Sequence, residues 1–163
     1  MTNPQTEPKV ERRIFDSYMA FTKNSVGSKS WSQYYADIDG VKTEIVQDGN
    51  LACAYFVSSV LRIFNLIERV HMTVPRTVAD MKESGWAEID KARPGAVVVY
   101  DDAHFSNGSF PHIGICTSGE TAISNNYKAG TPIEHNIVIT NEDGSERKIV
   151  GYYWHSQLEV GHE

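Results

Sequence analysis

The stretch from Leu51 to about Ile67 restricts this chain most, because it is apolar through several helical turns and has to be buried. Cys53, Phe56, Val57, Val60, Leu61 and Phe64 follow i, i+3, i+4, i+7 spacing and share one face. Ile63, Leu66 and Ile67 widen that surface. The pattern predicts a central helix with Asn50 as its N-cap, entered from the turn Asp48-Gly49-Asn50. Its cover has to come from the residues after Gly85. There Ala96–Tyr100, His112–Thr117 and Glu120–Asn125 read as strands, the last two joined at Ser118-Gly119. Ile133–Thr140 and Arg147–Trp154 read as a further hairpin around Asn141-Glu142-Asp143-Gly144. Helices first and strands afterwards predict an α+β fold, with this helix packed on an antiparallel sheet.

The flanking segments are simpler. Residues 1–10 are polar, carry Pro4 and Pro8, and are expected to form a disordered tail. Ile14, Phe15, Tyr18 and Phe21 mark a short amphipathic helix between Glu11 and Lys23. Gly27–Gly40 reads as an ordered loop anchored by Trp31, Tyr34 and Tyr35, followed by a short strand over Lys42–Val46. A second helix is expected from Val78 to Ser84, capped by Thr77, with Asp80 at the capping-box position and Gly85 as its stop. A chain of 163 residues suits one core, so 11–163 is expected to be a single domain.

Several function classes are disfavoured. A net charge of −6 argues against phosphate-backbone binding, so no nucleic-acid partner is expected. The N-terminal stretch has no apolar core of a signal peptide, and the apolar run at Cys53–Leu61 is too short to span a bilayer. The expectation is a soluble product, cytoplasmic as synthesised, with no membrane partner. Two cysteines, Cys53 and Cys116, do not make a disulfide framework. His71, His104, His135, His155 and His162 lack metal-ligand spacing, so neither a metal nor another cofactor is expected.

The chemistry centres on Cys53. In the first turn of a helix, free backbone N–H groups and the dipole favour a thiolate, which is the nucleophilic form. Cysteine also packs well in cores, so position alone does not decide between the two roles. His112 opens the strand His112-Ile113-Gly114-Ile115-Cys116, where alternation puts His112, Gly114 and Cys116 on one face. Gly114 leaves space beside the histidine for a helix end or a substrate. A two-residue turn at Ser118-Gly119 pairs Thr117 with Glu120 and sets Asn125 opposite His112, with Cβ atoms about 5 Å apart. Asn125 could then orient the imidazole of a Cys-His-Asn triad. One more loop residue would bring up Ser124 or Asn126 instead. Asp101, Asp102 and His104 fall in a loop near the histidine strand, and Tyr34 or Tyr35 could reach an oxyanion. Cys116, mid-strand, is expected to be inert packing.

These segments carry a resemblance. Leu51-Ala52-Cys53-Ala54-Tyr55-Phe56-Val57-Ser58 is similar to the nucleophile helix of NlpC-like and CHAP (cysteine- and histidine-dependent amidohydrolase/peptidase) proteins. Arg93-Pro94-Gly95-Ala96-Val97-Val98-Val99-Tyr100 resembles their Pro-Gly-led strand, and His112-Ile113-Gly114-Ile115 their histidine strand. Departures are Ala54-Tyr55 for the frequent Ser-Gly and Ala96 for the frequent Asp. The resemblance implies a papain-like fold and a cysteine peptidase or amidase that cuts peptide or peptidoglycan substrates. In it Cys53 is the nucleophile, His112 the base and Asn125 the orienting residue. The alternatives are an acyl- or peptidyl-transferase on the same dyad, and a non-catalytic peptide- or glycan-binding module.

Overall fold

The computed structural model describes residues 7–159, so most of the expected tail and His162 lie outside the described residues. Residues 7–13 carry no helix or strand, and α1 (Ile14–Asn24) follows as the spacing predicts. The expected loop over Gly27–Gly40 ends instead in a strand. β1 (Tyr35–Ile38) pairs with β2 (Val41–Glu44) through Asp39-Gly40, both at positive φ (51° and 79°). That dipeptide is a strong hairpin signal, because both residues tolerate the left-handed conformation such a tight turn demands.

The central helix α2 spans Cys53–Ile63, shorter at both ends than the apolar pattern suggests. Asn50 is not its N-cap. The amides of Gly49 and Leu51 both donate to Val46 O, and that of Asn50 donates to Gln47 O, so the preceding residues are committed to turns. Ala52 flanks the helix with no side-chain cap, and Cys53 becomes its first residue. At the other end Asn65 is left-handed (φ 55°) and the Leu66 amide donates to Leu61 O, closing the helix. Leu66 and Ile67 still reach the core from that turn, which is why an apolar count overestimates the helix.

α3 spans Val74–Glu83, starting four residues before the expected Val78, with Thr73 as N-cap and Pro75 in its first turn. Thr77 and Asp80 therefore lie inside the helix. Asp80, only 7% exposed, accepts from the amides of Glu68 and Arg69, from Ser84 Oγ, and from His71 Nε2 at 2.6 Å. It ties the α2–α3 connection to α3. Burial alone would raise its pKa, but the Glu68 amide, His71, Ser84 and the Arg69 amide lower it overall. Asp80→Ala is expected to cost about 3 kcal/mol, or roughly 10 °C in Tm, because it strips several donors of one buried acceptor. The depressed pKa makes this contribution full above the ordinary carboxylate range and lost as pH falls through the folded value. Thermal melts of both proteins at pH 7 and pH 3 should therefore converge at the acid end.

The remaining strands are β3 (Ala87–Ile89), β4 (Val97–Phe105), β5 (Gly108–Cys116), β6 (Thr121–Asn126), β7 (Thr131–Asn136) and β8 (Ile149–Trp154). They form one antiparallel sheet in the order β3-β8-β4-β5-β6-β7, with α2 against β5 and β6. The fold class is α+β. Two expectations are corrected. Asp101, Asp102 and His104 are not loop residues, since β4 and β5 continue as a hairpin past a bulge between Tyr100 and Ala103. Nor do the last two predicted strands pair as a hairpin. β7 pairs with β6, whereas β8 crosses back between β3 and β4, leaving one bridge at Thr140↔Glu146. β4 enters behind Pro94-Gly95, where the φ of 88° at Gly95 strains any other residue and a Cβ would lie only 3.0 Å from the Phe15 ring. No helix among the described residues is long and apolar enough to cross a membrane.

Candidate active site

The β5–β6 register decides which polar residues face His112. The observed pairs are Ile115↔Ile123 and Cys116↔Ala122, one residue away from the two-residue turn expected at Ser118-Gly119. Ser118 Oγ accepts from the amides of Glu120 and Thr121, and the Thr117 and Ser118 amides both donate to Thr121 O. This side-chain-stabilised turn takes up one extra residue. A one-residue slip exchanges the faces, so Ser124 and Asn126, not Asn125, fall on the side of His112 and Gly114. Contact bears this out: a Cβ on Gly114 would lie 2.2 Å from Ser124 Oγ. The expected placement of Asn125 opposite His112 is thereby corrected.

Asn125 has a different task in the fold. It is 2% exposed, and its Nδ2 donates to Gly49 O at 2.5 Å. Gly49 (φ 88°) also sits so close to Gly130 that a Cβ would come 2.3 Å from the Gly130 oxygen. The β6 strand and the turn after it thus hold the loop that delivers Cys53 to the head of α2. Asn125 Oδ1 is buried and makes no hydrogen bond with the described residues, and the residue borders the cleft.

A cleft of about 1250 Å³ runs over this region, and Cys53, His112, Ser124, Asn125, His135 and Arg147 all border it. Cys53 is half-buried. Desolvation raises its thiol pKa, opposed by the Ala54 amide, the Arg147 charge, the Ile113 amide and its own amide. The expected net lowering at the helix start is therefore not found: the helix end acts in the predicted direction, but burial outweighs it. His112 is also altered by its surroundings. Burial, then the charge of Arg147, then His135 depress its pKa to about 3, so the imidazole is neutral at physiological pH. Its ring lies 5.7 Å from that of Tyr100 and 6.3 Å from that of His135, centroid to centroid. Among the described residues no hydrogen bond joins Cys53 to His112, or His112 to Asn125; the three share the cleft without touching through polar atoms.

His135 and Arg147 enter the site without having been singled out. His135 Nδ1 donates to the Asn136 carbonyl at 2.7 Å, which leaves Nε2 to accept from Ser124 Oγ at 2.8 Å. The pair Ala122↔His135 puts this histidine on the same face, a relation visible only once β6 and β7 are known to be neighbours. Arg147 lies between strands and carries no local signal. Its Nη2 donates to Phe110 O at 2.5 Å and its Nε to Asp101 O at 3.1 Å, bracing the β4–β5 hairpin at its bulge.

The other candidates divide. Asp102 and His104 border the cleft. Trp31 packs edge-on against Phe56 (4.9 Å between centroids) and Tyr34 against Tyr55 (5.1 Å), as anchors of the core and its margin. Tyr35 lies under the Lys42 ammonium at the exposed β1–β2 hairpin. Cys116 is fully buried, with its thiol pushed up to about 12. Among the described residues no cluster of His, Cys, Asp and Glu could hold a metal ion. The sequence matches no protein-family model and no curated protein.

Proposed function

We propose that this protein is a cysteine peptidase or amidase with a papain-like arrangement, acting on amide bonds of peptidoglycan stem peptides or cross-links. The observation that carries the reading is the junction of α2 and β5: a thiol at the first residue of a helix, its pKa lowered by the amides of Ala54 and Ile113 against the effect of burial, in one cleft with a neutral imidazole. The order of helix, Pro-Gly-led strand and histidine strand supports the family likeness.

In this reading the resting pair is thiol and imidazole, both neutral. His112 takes the Cys53 proton as the sulfur attacks the carbonyl, and the Cys53 and Ala54 amides at the helix end face the developing oxyanion. His112 then returns the proton to the leaving amine, and a water activated by the same imidazole cleaves the thioester. Charging either group alone is opposed by burial. Moving the proton between them creates opposite charges together, whose attraction offsets part of that cost. In this reading the hydrogen bond between Cys53 and His112 forms in the substrate complex.

One observation favours a second reading. The raised thiol pKa suits a non-catalytic module that holds peptide or glycan in the same cleft. Mass spectrometry of purified peptidoglycan after incubation separates the two. New amine and carboxyl termini at one bond type are expected, and binding without any new fragment would leave the module.

A further inference from the structure

Arg147 is a cation that the fold has placed in the cleft without an ion-pair partner among the described residues. The guanidinium is half-buried, and desolvation lowers its pKa. Two of its donors are used on the Asp101 and Phe110 carbonyls, which fix its position without neutralising it. No carboxylate of the described residues makes an ion pair with it; Asp101 and Asp102 act on it only from a distance. It borders the same cleft as Cys53 and His112, and its charge lowers the pKa of both. Among the described residues Arg147 is the one Lys or Arg bordering the cleft, which Asp102, Glu142 and the uncharged imidazoles of His112 and His135 also line. Three guanidinium N–H donors remain, in a fork suited to a planar carboxylate.

We propose that Arg147 is the specificity-determining residue of this cleft, holding a free carboxylate carried by the acyl donor next to the attacked carbonyl. The preferred substrate class is then an acidic peptide, and the amidated peptide of the same sequence is a poor substrate. The anion site stands on Arg147 alone, while its use in turnover rests on the hydrolase reading.

A pair of alkylating reagents tests the site without needing turnover. Iodoacetate and iodoacetamide attack the same sulfur and differ in one carboxylate. Their rates with Cys53, divided as a ratio, cancel any change in thiol ionisation; buried Cys116 serves as the unreactive control in intact-mass analysis. Relative to N-acetylcysteine, the ratio for Cys53 is expected to favour iodoacetate by about tenfold, as one close charge in a partly screened cleft allows. Arg147→Gln should return it to the free-thiol ratio, and Arg147→Lys should keep most of the preference. A role confined to bracing the β4–β5 hairpin would alter both rates together and leave the ratio alone. A wild-type ratio equal to that of N-acetylcysteine, an unchanged ratio in Arg147→Gln, or a thiol that neither reagent reaches would overturn the proposal. Where peptide release is observed, carbodiimide amidation of the peptides should raise KM about tenfold for the wild type and leave that of Arg147→Gln unchanged. Absence of peptide release with an intact reagent preference removes the hydrolase reading and keeps the anion site.

Discussion

Cys53→Ala releases no peptide fragments from peptidoglycan, while its melting temperature stays within a few degrees of the wild type. The loss is complete because the proposed route has no second accessible nucleophile: Cys116 is sealed in the sheet, and Ser124 is buried. The fold tolerates the change because Cys53 is half-buried at a helix start, where alanine is sterically smaller and a good helix former. Cys53→Ser should be nearly as inactive. Burial already disfavours charge on this atom, and an alkoxide is far harder to form than a thiolate. Fragment release by Cys53→Ala at more than a trace of the wild-type rate would remove the sulfur from the mechanism.

His112→Ala lowers kcat by about 10²- to 10⁴-fold, the range expected when a general base is removed. The pH profile gives the second, sharper reading. An ordinary histidine near 6.5 would put an acid limb in the middle of the working range, whereas His112 is depressed to about 3. The base is neutral, and so competent, at every pH above that value. kcat/KM should therefore stay flat from about pH 5 to pH 8, with no limb near 6.5. Arg147→Gln removes one of the charges that hold the imidazole neutral, so the acid limb should move upward. A limb near 6.5 in the wild type would assign the base to a solvated histidine. The same shift acts on stability: because the unfolded chain binds a proton at His112 more readily, acid weakens the fold as pH falls from about 6.5 toward 3.

Local pattern was enough for α1, α2 and the cores of the later strands, and for placing Cys53 and His112 in their elements. The apolar stripe of α2 is a statement about periodicity, and periodicity survives any tertiary arrangement. For that reason Cys53 at a helix start and His112 on a strand ahead of Gly114 are legible in the chain, as is the succession of helices and antiparallel strands. The Asp39-Gly40 turn carried a hairpin signal in two residues that accept positive φ, but the segment ahead of it was read as loop.

What depended on single-residue counts or on distant partners was decided only by tertiary structure. One extra residue in the turn held by Ser118 Oγ turned Asn125 away from His112 and brought Ser124 beside Gly114, since side chains alternate with period two. His135 and Arg147 reached the cleft because β7 pairs with β6 and β8 returns to the middle of the sheet, neither of which a local pattern encodes. The thiol shows the division most plainly. Its place at the head of α2 follows from sequence, but the sign of its pKa shift depends on how much water the assembled cleft removes, and desolvation is a property of the packed molecule.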